Sequence, residues 1–196
     1  MAGVELTRST PNGREGNATP MPVPARQYDP QSPRSPTVWL ATGFGLGLFV
    51  PAPGTAGAAL GLIMAWGVSL IPEHLWQIVV MLALNIAGVP LCTAAGRALG
   101  GKKDHQAIIF DEIASVPVVF LLTPLAGWNV GLLGFALHRL FDIWKPPPAR
   151  QLERLPDGLG VMADDWVAAI YAGVTLYVLT QLGDWYGLEL FSASSG

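Results

Sequence analysis

The sequence predicts an all-α fold: a compact helical bundle integral to a membrane, with polar loops at its interface. Three observations point there. Apolar residues make up 51% of the 196 and charged residues 13%, whereas a soluble domain carries about 25% charged residues. The apolar residues gather into runs, and two of these reach the ~17–25 residues that cross a bilayer as a helix. The lysines and arginines are confined to the N-terminal region and two polar segments.

The elements follow in chain order. Residues 1–37 lack the apolar core of a signal peptide and are rich in Pro, Ser, Arg and Gly. They read as a disordered tail, which leaves 38–196 as one helical membrane domain. Val38–Pro51 is a short apolar run broken by Gly43, Gly45 and Gly47. Its "GFGLG" is no dinucleotide fingerprint, because the spacing is wrong and no strand pattern precedes it. "PAPGTAG", Pro51–Gly57, has turn chemistry. Ala58–Ile71 is apolar and ends at "PEH". Leu75–Ala95 is the longest clean run, and Trp166–Leu182 is the second of spanning length. Between them, Ile113–Leu137 dips at "TPLAGWN", so a tight hairpin of two short helices is expected. The shorter runs imply either a thin bundle or helices that enter part-way, shielded by neighbours. Small residues four apart, Gly43/Gly47 and Gly57/Gly61, would permit close helix packing.

Seven of the eleven lysines and arginines fall in the polar segments Arg97–Glu112 and Arg139–Asp165. Excess positive charge marks the cytoplasmic side, so the tail and both segments are expected there. That requires an odd number of crossings or one re-entrant hairpin near "PAPGTAG". The tryptophans lie mostly near segment ends, as interfacial anchors do. The net charge of −3 gives nucleic-acid binding no electrostatic support. Cys92 is the one cysteine; it has no partner for an intramolecular disulfide and reads as a small core residue.

The polar segments also hold most of the acids. "KKDHQAIIFDEI" supplies Asp104, Asp111 and Glu112. "HRLFDIWKPPPAR" supplies Asp142 beside Arg139 and Lys145. "DGLGVMADD" supplies Asp157, Asp164 and Asp165. If 104–112 is helical, Asp104 and Asp111 share a face. Asp142 and Lys145 lie one helical turn apart, and the Pro146–Pro148 run then stops that helix. Asp164 and Asp165 are expected at the N-terminus of the last helix, where the dipole favours each carboxylate by ~0.3–1 kcal/mol. That is too little to hold six or seven mutually repelling carboxylates at one interface. A cation among them would. Oxygen ligands without a Cys or His cluster suit Mg²⁺, Mn²⁺ or Ca²⁺ rather than Zn²⁺. Arg139 and Lys145 add positive charge for a phosphate. An acidic metal centre with a basic rim at a lipid surface points to metal-assisted hydrolysis of a phosphorylated lipid head group. His105, beside Asp104, is a candidate general acid. His138, before Arg139, is expected to be a charge near a helix C-terminus.

Four blocks in order, "GFGLGLFVPAPGTAG", "DHQAIIFDE", "FDIWKPPP" and "GLGVMADD", resemble the phosphatidylglycerophosphatase A family from about Thr42 to Leu182. The resemblance implies an all-helical, Mg²⁺-dependent enzyme of the bacterial inner membrane with its active site on the cytoplasmic side. Its substrate would be phosphatidylglycerophosphate, whose terminal phosphate is removed to leave phosphatidylglycerol. Carried over by position are Asp104, Asp111, Glu112, Asp142, Asp164 and Asp165, with Lys145, Arg139 and the Gly54-Thr55 turn. The expected metal ligands are Asp111, Glu112, Asp164 and Asp165. The catalytic set is Asp104, His105, Asp142, Arg139 and Lys145, and head-group binding falls to Gly54, Thr55, Arg139 and Lys145. No D-x-D-x-T motif marks an aspartyl nucleophile, so metal-activated water is the expected attacking group. Gln106, Ser115, Pro147 and Asp157 depart from the family pattern, and none of them replaces a carboxylate of the set. The competing readings are a membrane cation carrier and an inactive family member.

Overall fold

A computed structural model describes residues 35–101 and 105–187. Most of the expected tail lies outside the described residues. The first helix, α1 (Pro36–Ala41), starts just inside the 1–37 boundary drawn from composition. The rest are α2 (Leu46–Phe49), α3 (Pro53–Ser69), α4 (His74–Ala98), α5 (Phe110–Val119), α6 (Trp128–Trp144), α7 (Ala149–Leu152) and α8 (Asp157–Trp185). No strand occurs among the described residues.

The two spanning runs are α4 and α8. A core helix of a soluble protein would be mostly covered, but only 28% of the most apolar stretch of α4 is buried. Its Leu75, Val79, Leu82 and Ile86 face outward, as do Ile170, Val174 and Val178 of α8. Lipid is the solvent those faces fit. With 29 residues, α8 is about 43 Å long, more than the ~30 Å hydrocarbon core. Its extra turns precede Trp166.

Five helices, α3, α4, α5, α6 and α8, alternate in direction. Arg97 at the end of α4 pairs with Asp157 at the start of α8. Gly54 at the start of α3 lies against Glu112 at the start of α5 and Arg139 near the end of α6. All these ends therefore meet at one pole. At the other pole, Ser69 of α3, Gln77 of α4 and Phe120 after α5 share a crevice, and Val130 of α6 shares one with Thr180 of α8. The described helices thus make an odd number of passes between the poles.

Helix α5 is the hub. Asp111 through Pro117 are all buried, so it touches neighbours on every side. Its ten residues span about 15 Å, half a bilayer, which fits a short helix shielded by longer ones. The hairpin read over Ile113–Leu137 is α5 and α6, joined through 120–127. Glycine lets α3 lie against α5: a Cβ at Gly61 would come within 2.7 Å of the Glu112 carbonyl oxygen.

Three local expectations are corrected. "PAPGTAG" is not all turn. Pro53 opens α3, because proline at the first helical position gives up no helical hydrogen bond. Asp164 and Asp165 do not cap a helix, since α8 begins at Asp157 and they lie two turns inside it. Residues 105–109 are not helical, since α5 begins only at Phe110; Asp104 itself lies outside the described residues.

Candidate active site

The functional side chains are carried near helix ends at the basic pole, Asp164 and Asp165 two turns inside α8. Asp111 and Glu112 occupy the first turn of α5. Asp165 reaches them from α8. One carboxylate oxygen from each of the three lies within 4.8 Å of the others. All three residues are buried, Asp165 to 2% exposure. Asp111 Oδ1, Glu112 Oε2 and Asp165 Oδ1 have no hydrogen-bond donor among the described residues. Burial, then the charges of Glu112 and Asp165, pushes the Asp111 carboxyl well above the usual carboxylate range. Glu112 is also raised, by burial first and by Asp142, against the lowering influence of Asp111 and Arg139.

Two cations stand beside this cluster. Arg139 Nη1 donates to Asp142 Oδ2 one turn on and lies 3.8 Å from Glu112 Oε1. Lys145 ends α6 in the left-handed conformation at φ 49°, which turns the chain sharply before the prolines. Its Nζ donates to Asp164 Oδ2 at 2.7 Å and lies 3.3 Å from Glu153 Oε2. Burial alone would lower the Lys145 pKa, but the bonds and charges of Asp164 and Glu153 outweigh it and raise it. Asp164 thus faces Lys145 while its neighbour Asp165 faces the acids of α5.

The groups open on a cavity of about 450 Å³. Gly54 and Thr55 form part of its wall. They belong to the first turn of α3, where backbone N–H groups have no helical acceptor. A Cβ on Gly54 would sit 2.6 Å from Glu112 Oε1 and 3.1 Å from the Arg139 guanidinium. Only glycine lets that helix end approach so closely.

The structure brings Asp111, Glu112, Arg139, Asp142, Lys145, Asp164 and Asp165 to this one cavity. Asp104 lies outside the described residues. His105 does not line the cavity; its Nδ1 accepts a hydrogen bond from the Ala107 N–H, and Gln106 takes the place on the wall. His138 is no helix-end charge. It is fully buried six residues before the end of α6, its Nε2 is 3.0 Å from Ser115 Oγ, and burial, then Arg139, pushes its pKa down to about 3. Glu153 joins the site unforeseen, because among Arg150 and Arg154 it looks like part of a solvated charge run.

The donor set fits a hard divalent cation. Three converging, buried carboxylates with unpartnered oxygens repel one another, and oxygen-rich sites of this kind suit Mg²⁺ or Mn²⁺.

The family profile of Phosphatidylglycerophosphatase A matches residues 39–180. A Haemophilus influenzae protein named Phosphatidylglycerophosphatase A is 39% identical over 150 residues, 74% of this chain and 89% of that protein. An Escherichia coli protein of the same name is 35% identical over 141 residues, 71% of this chain and 81% of that one. A Bacteroides thetaiotaomicron protein, provisionally named a phosphatidylinositol-3-phosphatase, is 36% identical over 150 residues, 72% and 91% of the two chains. No solved structure matches the chain.

Proposed function

The chain belongs to the phosphatidylglycerophosphatase A family, and from that premise we propose that it is a Mg²⁺-dependent phosphatase that converts phosphatidylglycerophosphate to phosphatidylglycerol. The observation that carries the reading is the buried trio Asp111, Glu112 and Asp165, each with one carboxylate oxygen left without a partner, with Arg139 and Lys145 on the same cavity wall. Acids and cations in one pocket suit a phosphomonoester and the metal it is delivered to.

Asp111, Glu112 and Asp165 would hold the cation, with Asp164 at the margin. A divalent cation there supplies Lewis-acid polarisation of a phosphoryl oxygen and an activated water. The other residues bind and orient. Lys145, kept protonated by Asp164 and Glu153, and Arg139, aligned by Asp142, stabilise the charge that grows on the phosphoryl oxygens. The free N–H groups of Gly54 and Thr55 add the anion preference of a helix N-terminus.

The membrane supplies the substrate. All five described lysines and arginines, Arg97, Arg139, Lys145, Arg150 and Arg154, belong to helix ends or loops of the site pole. By the positive-inside rule this supports a cavity on the cytoplasmic face, in keeping with the proposed place of the enzyme in a bacterial inner membrane. The first turns of α8, beyond the length the bilayer needs, would carry Asp164 and Asp165 at head-group level.

The test is a substrate panel in mixed micelles: phosphatidylglycerophosphate, phosphatidylinositol 3-phosphate and phosphatidic acid, each with Mg²⁺ or EDTA. The account expects phosphate release from the first, abolished by EDTA. The Bacteroides relative's name makes phosphatidylinositol 3-phosphate the pointed rival. Faster turnover of that lipid would overturn the head-group assignment while leaving the phosphatase reading intact.

A further inference from the structure

Helix α4 lends no side chain to the cavity wall, yet it buries an asparagine in the middle of a membrane span. Asn85 is 7% exposed. Its Nδ2 donates to the Met81 carbonyl in its own helix at 2.8 Å and to the Ala114 carbonyl of α5 at 2.9 Å. Its Oδ1 accepts from the Trp166 indole N–H of α8 at 2.7 Å. Both amide hydrogens and the carbonyl are engaged, and three helices meet at one side chain. A buried amide is unfavourable unless fully bonded, so this one is completely compensated.

The two partners outside α4 stand next to the acids. Ala114 lies one turn after Asp111, on the same side of α5. Trp166 directly follows Asp165. We propose that Asn85 is a positioning residue for the carboxylate cluster: by bonding Ala114 and Trp166 together, it fixes the spacing and rotation of α5 and α8 at which Asp111, Glu112 and Asp165 converge. The inference rests on reading that cluster as a cation site. It differs from ordinary polar adhesion between membrane helices in what it controls, which is ligand geometry rather than association alone. Partners behind metal ligands typically govern affinity by about 10–100-fold.

The experiment uses the full chain purified in detergent, with Mn²⁺ as the probe and free Mn²⁺ read by electron paramagnetic resonance. Wild type is compared with Asn85→Leu, Trp166→Phe, the double variant Asn85→Leu/Trp166→Phe, and Asp165→Asn. Removing both partners of a buried hydrogen bond restores much of the stability lost by removing one. The double variant should therefore unfold in EDTA no lower than Asn85→Leu, with which it shares the lost donor to Ala114, yet bind Mn²⁺ about 10–100-fold more weakly than wild type. Trp166→Phe, the mildest change, should weaken binding severalfold. At saturating Mn²⁺ turnover should largely return, with KM for the lipid unchanged. Wild-type Mn²⁺ affinity in Trp166→Phe and in the double variant would overturn the role of Asn85, while loss of binding in Asp165→Asn kept the cation site intact. Absence of Mn²⁺ binding to the wild type would overturn both.

Discussion

Replacing Asp165 by Asn should test the proposed cation site without any substrate. Two unit charges at the 4.8 Å limit of the carboxylate trio repel by ~3.5 kcal/mol at an effective dielectric constant near 20. The upward shift of the Asp111 and Glu112 carboxyls favours proton uptake, which relieves part of this. The new amide can also donate to the unpartnered oxygens of Asp111 or Glu112. The net gain for cation-free Asp165→Asn should be about 1–3 kcal/mol, a rise in unfolding midpoint of roughly 3–8 °C for a chain of this size. The assay is thermal unfolding in detergent, in EDTA and over a Mg²⁺ titration. Wild type should start lower and climb with Mg²⁺; the variant should start higher, stay flat and release no phosphate. A variant less stable than wild type in EDTA, still stabilised by Mg²⁺, would refute the reasoning.

Other outcomes follow from the same geometry. Gly54→Ala puts a Cβ 2.6 Å from Glu112 Oε1, so kcat/KM should fall by about 10–100-fold, the loss a misplaced group brings, with the protein still folded by circular dichroism. Lys145→Met should lower phosphate release by about 10²-fold, as removal of one charge-stabilising donor does. Lys145→Arg should retain more activity than Lys145→Met, because Asp164 and Glu153 keep a cation between them. Cation binding should strengthen as pH rises. With raised folded-state pKa values, Asp111 and Glu112 favour folding at pH below their ordinary values of 3.8 and 4.5 and lose that contribution as pH climbs through the raised ones. Mg²⁺ competes with any proton held there, so isothermal titration should show affinity increasing by up to about tenfold per pH unit for each proton released.

The spans were plain in the sequence because lipid demands long uninterrupted apolar runs, and Leu75–Ala95 and Trp166–Leu182 are such runs. Helix starts were not. Asp157, Gly158, Gly160, Asp164 and Asp165 look like loop, yet α8 runs through all of them. Gly158 is there because a Cβ would lie 2.2 Å from the Val89 carbonyl oxygen of α4, a constraint only the tertiary contact reveals. Asp164 and Asp165 face a cavity and neighbouring helices, so they do not interrupt the helix as solvated acids would. The acids that meet could be picked out because both polar segments carry the positive charge that marks one membrane side. How they divide was not visible: Asp165 turns to α5, Asp164 to Lys145. Glu153 was hidden among Arg150 and Arg154. Sequence neighbours suggest partners, but the turn after α6 brings Glu153 back to Lys145, while the Ala107 N–H engages His105.

The most direct test reconstitutes the full chain in vesicles containing phosphatidylglycerophosphate and follows inorganic phosphate as Mg²⁺ is titrated. The account predicts saturable, Mg²⁺-dependent release that leaves phosphatidylglycerol in the bilayer and vanishes in Asp111→Asn and Asp165→Asn. Release that persists undiminished in EDTA, or in both variants, would contradict it.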